Sequence, residues 1–415
     1  CNCSIQKFNK FDRKNYFYPD QTKNYQISQF DLPICLGGHL DVEGTGFSGN
    51  PLPPKRIGIT RIHMEEDPAK LTHFNDSTGV DYNRAGVPLL EVVSEPDMRT
   101  ADEAYAYLTG LKQIMQYAGV SDCDMEKGQM RCDINISLRE DESKPFGIKL
   151  EVKNLNSFSA AHKAIGYEYR RQARMLDNGK KLEQQTLRWD DDRGRTIVLR
   201  TKEEANDYRY FPEPDLPPIV FSDEELQKIK KSLPEGPAEK KEKYLQNYKL
   251  PEYDVDILTA DKNLANYFEQ TVQLGAPPKP LSNFIMSELL RELSNKKIKI
   301  SECPVKPPAM AELFLFQKKK IINAKIAKKV FEEMFESGKS AKAIIKEKGL
   351  EQVTDSGEIE TFIDIAIKEN PTQVEQYKNG ETKVINFFVG QVMKLSRGKA
   401  NPPMVITSLK EKLKG

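Results

Sequence analysis

The chain has 415 residues, enough for two or three domains and more than one core. Its 63 Lys and Arg against 62 Asp and Glu give a net charge of +1, which excludes a histone-like polycation and an acidic-tail protein. Hydrophobic residues at 38% and charged residues at 30% mark a globular chain rather than a disordered or collagen-like one, and no apolar run reaches the roughly 18 residues that a membrane-spanning helix needs.

The six cysteines (Cys1, Cys3, Cys35, Cys123, Cys132 and Cys303) are too scattered for a disulfide framework and are expected as reduced thiols. Cys1-Asn2-Cys3 has no second pair at zinc-finger spacing. The chain opens on Cys1 with neither a basic nor an apolar leader, so no signal peptide is expected and the natural N-terminus is expected to lie upstream.

Up to about residue 220, apolar residues mostly alternate at period two, with helical stretches between them. The run Lys10 to Asp20 mixes cations with aromatic rings, which suits phosphate binding or base stacking as well as a half-buried strand. Arg56 to Glu66 starts as a strand whose odd positions, Ile57, Ile59, Arg61, His63 and Glu65, pass from apolar to charged. A strand leaving a core for a polar cleft has this pattern. It closes on Glu65-Glu66-Asp67, three carboxylates that repel one another and need cations; for such a triplet the plain expectation is a solvated loop. Pro88 to Val93 is a continuous apolar run around Glu91 and reads as a strand buried on both faces. A carboxylate there needs an ion pair, with Arg84 for instance, or a metal.

A helix is expected from Thr100 as N-cap, through Asp102 and Glu103 in the first turn and the stripe Leu108, Leu111, Ile114 and Met115, to a stop at Gly119. Met130 to Leu138 alternates, with Arg131, Asp133, Asn135 and Ser137 on the polar face; Ile148, Leu150 and Val152 do the same opposite Lys149, Glu151 and Lys153. These two segments form a plausible antiparallel pair. A second helix runs from about Ser159 to Leu176, before Asn178-Gly179. Asp133, Asn135, Glu151, Lys153 and Asn154 load the polar faces with oxygen donors beside a lysine. That set suits Mg²⁺ and a phosphorylated substrate better than zinc, although a polar sheet face can equally be a solvated one. There is no G-x-x-x-x-G-K-[ST] loop, no G-x-G-x-x-G opening a helix and no G-x-S-x-G elbow. The four histidines lack ligand spacing; His63 is the best candidate for chemistry.

Phe211 to Pro218 carries prolines dense enough to stop regular structure and to read as a stiff linker. Ser222 and Glu225 then form a capping box, and the pattern beyond is helical. Gln317 to Gly349 holds ten Lys against four Glu, with an apolar stripe Ile322, Ile326, Val330 and Met334 flanked by Phe331 and Phe335. Lys378 to Gly415 holds seven Lys and one Arg against two Glu. Two basic clusters on a neutral chain, with Ser396 to Pro402 between helical stretches, favour an RNA contact over a merely solvated lysine face.

Lys10 to Asp20 (KFDRKNYFYPD), Tyr25 to Ile34 (YQISQFDLPI), Arg56 to Lys70 (RIGITRIHMEEDPAK), Asp81 to Arg99, Met130 to Arg139, Leu150 to Phe158 and Asp207 to Pro218 (DYRYFPEPDLPP) resemble the B subunit of the tRNA-dependent aspartyl/glutamyl amidotransferases, as do the C-terminal IAKKVFEEM and GQVMKLSRGKANP. The resemblance spans nearly the whole chain. It implies an α+β fold: an N-terminal mixed or antiparallel β "cradle" domain with helices (residues 1–232), an all-α helical domain (233–347) and a small helical tail that touches tRNA (348–415). It implies ATP-dependent phosphorylation of the side-chain carboxylate of glutamyl-tRNA(Gln) or aspartyl-tRNA(Asn). Amidation follows with ammonia from an amidase A subunit, and a small C subunit completes a heterotrimer. Mg²⁺ and ATP are the expected cofactor and co-substrate, and the cytoplasm is the expected compartment. No amidase nucleophile is evident in the chain itself.

On this reading the candidate metal ligands are Glu65, Glu66, Glu91, Asp133 and Glu151, with one of Glu65 and Glu66 binding directly, since they face opposite ways on a regular strand. Lys14 and Lys153 are expected to hold phosphate charge, and Arg131, Asn135 and Asn154 to position it. The family's opening strand, resembling G-L-E-V-H, and the zinc loop of some members are not in this sequence. A tRNA-binding scaffold without chemistry is therefore the alternative. The archaeal glutamyl-specific relative is disfavoured, because no inserted domain interrupts residues 207 to 250.

Overall fold

The computed structural model describes residues 1–201, 208–350, 356–396 and 399–414. Asp207, Arg397, Gly398 and Gly415 of the motifs above lie outside the described residues. The chain is mixed α/β and divides into two compact units, Cys1–Gly236 and Pro237–Gly415.

In the first unit, strands β1 (Asp12–Asn15) and β2 (Tyr25–Ser28) pair antiparallel. β3 (Cys35–Leu36), β4 (His39–Thr45) and β6 (Pro88–Ser94) all pair antiparallel with β5 (Pro51–Glu66), a strand of 16 residues. The β-branched residues Ile57, Ile59 and Ile62 of β5 are buried, as expected for a central strand. β6 lies at the sheet's edge, with β5 as its one ladder neighbour among the described residues. Its residues are exposed or half-buried, so the run is not buried on both faces, and Glu91 is exposed, against expectation.

Helix α1 (Ala101–Ala118) begins at Thr100, whose side chain accepts from the Glu103 amide, and stops at Gly119 in the left-handed region at φ 74°. Its buried Tyr107 and Leu111 join Val42 and Ile57 in one apolar cluster; Leu108 joins the neighbouring cluster of the second sheet. That sheet has the order β7 (Cys132–Ile136), β8 (Leu150–Leu155), β9 (Gln185–Asp190), β10 (Arg195–Thr201). Helix α2 (Phe158–Asp177) packs on it through Ala160, Ala161 and Ala164. The β7–β8 pair is antiparallel as expected, but β8 starts at Leu150 and Ile148 is exposed. The β7–β8 register slips between Cys132↔Leu155 and Ile134↔Val152, so Lys153 and Asn154 together face Asp133. Asn154 takes this bulge at φ 64°, a conformation that asparagine tolerates better than most residues.

The proline-rich run is not a linker between units. β11 (Phe211–Pro212) pairs with β1, Ile219–Val220 pairs with Phe8–Asn9, and Glu213 is buried. Proline is tolerated there because β11 lies at the edge of its sheet. The Ser222–Glu225 capping box opens α3 (Asp223–Ser232) as the spacing predicts.

In the second unit, the helix Ala324–Ser337 buries Ile326, Val330, Phe331, Met334 and Phe335. A further apolar cluster joins Ile359, Ile363, Phe388, Val392, Val405 and Leu409 from the helices Ser356–Glu369, Ile385–Leu395 and Pro402–Lys414. All six cysteines are free thiols. No helix among the described residues is long and apolar enough to cross a membrane.

Candidate active site

The polar end of β5 is buried rather than solvated. His63 and Glu65 are 3% and 9% exposed, and Asp67 is 8% exposed. The acidic triplet is therefore not a surface loop. Glu65 is covered by β2, where alternate residues turn polar groups toward it. The Ser28 hydroxyl donates to Glu65 Oε1 at 2.9 Å and the Gln26 amide donates to Oε2 at 3.2 Å. Lys14 Nζ, from β1, stands 3.5 Å from Oε1.

Glu91 lies directly opposite His63 in the β5–β6 ladder, so their side chains share a face. His63 Nε2 is 3.3 Å from Glu65 Oε1 and 3.7 Å from Glu91 Oε2. One donor atom from each of His63, Glu65 and Glu91 falls within 4.8 Å of the others, and they form the only such group among the described residues. Two carboxylates and an imidazole at this spacing, one carboxylate open to solvent, fit a divalent cation that keeps coordination positions free for substrate.

Burial pushes the Glu65 carboxyl up, but the His63 bond, the Lys14 charge and the Ser28 bond outweigh it and hold the group below the usual carboxylate range. Tyr210 lies near the same charges. Burial, reinforced by Glu65, pushes its phenol up to about 12, with Arg61 opposing. The Tyr210 ring stacks on Phe30 at 4.3 Å, and Lys14 stands 5.2 Å from the centre of the Tyr208 ring. Burial likewise raises Tyr16 to about 12.

The other sequence-derived candidates sit apart from this group. Glu66 points to the opposite face, where it pairs with Lys23 and accepts from the Ile27 amide at 2.9 Å. Arg131 reaches Asp67 at 3.3 Å, and Arg84 also pairs with Asp67 (3.4 Å) rather than with Glu91. On the second sheet, Lys153 bridges Asp133 at 2.7 Å and Glu151 at 3.2 Å. Glu151 also accepts from the Thr186 hydroxyl at 3.1 Å, and with Asn135 it lines a shallow cleft. The Asn154 amide donates to the Trp189 carbonyl at 3.1 Å, a structural bond.

Sequence reasoning missed Gln26, Ser28, Tyr208 and Tyr210. The first two were detectable, because polar residues at alternate positions of Tyr25–Ser28 mark a strand face turned toward a buried charge. The tyrosines reach the site through the pairing of β11 with β1 and through the Asn15 backbone amide, which donates to the Tyr208 carbonyl at 3.0 Å, contacts some 200 residues apart in sequence.

Residues 1–227 match the family model of the GatB/GatE catalytic domain, and residues 266–413 match that of the GatB domain. The chain is similar to the B subunit of the aspartyl/glutamyl-tRNA(Asn/Gln) amidotransferase of Trichlorobacter lovleyi, with 52% identity over 100% of this chain and 86% of the relative. For the same protein of Carboxydothermus hydrogenoformans the figures are 50%, 99% and 85%, and for that of Persephonella marina 50%, 100% and 86%. The chain belongs to the family of B subunits of the aspartyl/glutamyl-tRNA(Asn/Gln) amidotransferases.

Proposed function

We propose that the chain, a component of a tRNA-dependent amidotransferase and so of a glutamine-hydrolysing carbon–nitrogen ligase, carries out the activation step at His63, Glu65 and Glu91. The observation that carries the reading is the convergence of two carboxylates and an imidazole on one strand face, held by Lys14, Ser28 and Gln26.

A carboxylate oxygen of the tRNA-bound glutamate or aspartate attacks the γ-phosphorus of ATP, and ADP leaves. Ammonia then attacks the acyl carbon and phosphate leaves, giving the amide. Mg²⁺, when bound, neutralises phosphate oxygens. Glu65, Glu91 and His63 would hold it, and Lys14, 3.5 Å from Glu65, would balance further negative charge. Lys153, between Asp133 and Glu151, with Asn135 beside them, is assigned to the phosphoryl or leaving-phosphate side, and Glu66, Arg131 and Asn154 to shaping the walls.

Partner A and C subunits supply ammonia and complete the assembly. Residues 1–232 act as the cradle, 233–347 as the helical domain and 348–415 as the tail that contacts tRNA, and the cytoplasm is the compartment. The basic runs on the helical segments support the tRNA contact, although Lys328, Lys339 and Lys348 are already in ion pairs with Glu288, Glu347 and Glu333.

The discriminating experiment is ATP hydrolysis by the reconstituted complex with and without misacylated tRNA. The reading predicts hydrolysis stimulated by misacylated tRNA and lost in Glu91→Gln. Absence of ATP hydrolysis with misacylated tRNA present, with tRNA binding intact, would leave only the scaffold.

A further inference from the structure

Arg61 is the odd member among the half-buried arginines of the first unit. Arg13 is paired with Glu213, Arg84 with Asp67 and Arg171 with Glu168. The Arg61 side chain has no hydrogen bond or ion pair among the described residues, and its Nε is buried without a partner. A guanidinium stays charged at any physiological pH. Leaving this donor buried and unmatched is costly, and native structures rarely do so without a purpose.

Its position supplies the purpose. Arg61 lies two residues before His63 on β5, on the same face and so about 7 Å away along the strand. Directly across the ladders stand Leu36 on one side and Val93 on the other, neither of which has a side chain that can accept a hydrogen bond from it. Its positive charge acts on Tyr210, which also senses Glu65 and Glu91. The face therefore presents Arg61 at one end, the two carboxylates and the imidazole in the middle, and Lys14 at the other end.

We infer that Arg61 is the anion anchor of this centre: its guanidinium fork takes a negatively charged group of the substrate, either the carboxylate of the tRNA-bound amino acid or the phosphoryl group that it receives. The inference rests on the activation reading above and adds the group that fixes the substrate's orientation. Both ligand groups offer oxygens at the spacing that a guanidinium binds bidentately.

The test is steady-state amidation by the complex with its partner subunits, in which ATP and misacylated tRNA are varied separately. Arg61→Gln is expected to lower kcat/KM by roughly 10²- to 10³-fold. Arg61→Lys should recover part of the loss, and guanidinium ion in solution should partly rescue Arg61→Ala but not Glu65→Gln. A rise in KM for ATP alone identifies the phosphoryl group; a rise for misacylated tRNA alone identifies the carboxylate. Arg61→Gln indistinguishable from wild type, alongside an inactive Glu65→Gln, overturns the anchor and leaves the activation reading standing. If Glu65→Gln is active as well, the activation reading fails with it. Loss in Arg61→Gln with a lowered Tm and no recovery by lysine or guanidinium marks a structural role and also overturns the anchor.

Discussion

Glu65→Gln in the reconstituted complex is expected to cut amide formation by about 10³-fold or more, the scale on which losing a group that stabilises developing charge is felt. The wild-type carboxylate accepts from Ser28 and Gln26 and neighbours Lys14 and His63. An amide in its place turns two hydrogens toward groups that are themselves donors, and it removes the negative charge that faces Lys14. Folding should weaken by about 1–3 kcal/mol, the range for a buried polar mismatch, so the protein remains assembled while the chemistry stops. Binding of tRNA should stay within about tenfold of wild type, since tRNA affinity is set chiefly by phosphate contacts elsewhere.

The pH dependence has a defined sign. Glu65 is held below its ordinary value in the folded chain. Its contribution to stability is therefore complete above the unfolded carboxylate pKa of about 4.3 and is lost as pH falls through the lower folded value. Glu65 protonation should not limit amidation at neutral pH. An active Glu65→Gln enzyme, or a wild-type rate that falls near neutrality because this group takes up a proton, would contradict the assignment.

Arg13→Ala should be among the most destabilising single changes in the first unit. Arg13 donates Nε and one Nη to Glu213 at 2.8 and 2.9 Å, reaches Asp215 at 3.3 Å and lies over the Tyr25 ring at 4.3 Å. Glu213 is 4% exposed, so losing Arg13 strands a buried charge. The expected result is a clear fall in Tm on thermal unfolding. The consequence reaches the chemistry, because the Arg13–Glu213 clamp ties the run that follows Tyr208 and Tyr210 to β1, the strand carrying Lys14. Thermal unfolding and amidation should therefore fall together. Arg13→Met combined with Glu213→Leu should recover most of the stability, since the pair is then removed without leaving a charge behind. A single variant as stable as the double would refute the clamp.

The helices were the most legible part of the fold. Thr100, Gly119, Ser222 and Glu225 state helix ends through local hydrogen bonding, and local chemistry is what a sequence displays. The alternation of Met130 to Ile136 and of Leu150 to Val152 likewise displays a strand pair. What the pattern did not reveal depends on neighbours far along the chain. The Pro88–Val93 run reads as buried on both faces, yet its residues are exposed or half-buried and no described strand adds beyond it in that sheet. The proline run reads as a linker, yet Glu213 finds Arg13 and docks it.

The site divides in the same way. Glu91 is legible as a carboxylate set in an apolar run and Glu65 as the polar end of a strand, and the structure brings them together with His63. Their separation from Asp133 and Glu151 is a matter of which sheet each strand joins, and spacing along the chain carries no such information. Arg61 is visible in the sequence only as one charge in an alternating run. The lack of a partner for its Nε appears only once the strands around it are in place.

The most direct measurement is a crystal structure of the assembled complex with Mn²⁺ in place of Mg²⁺ and a non-hydrolysable ATP analogue, using the anomalous signal of manganese to locate the ion. The account predicts an anomalous peak bounded by Glu65, Glu91 and His63, with nucleotide phosphate beside it and the Arg61 guanidinium facing the same space. A peak held instead by Asp133 and Glu151, or nucleotide bound away from β5 with no metal at Glu65, would contradict it.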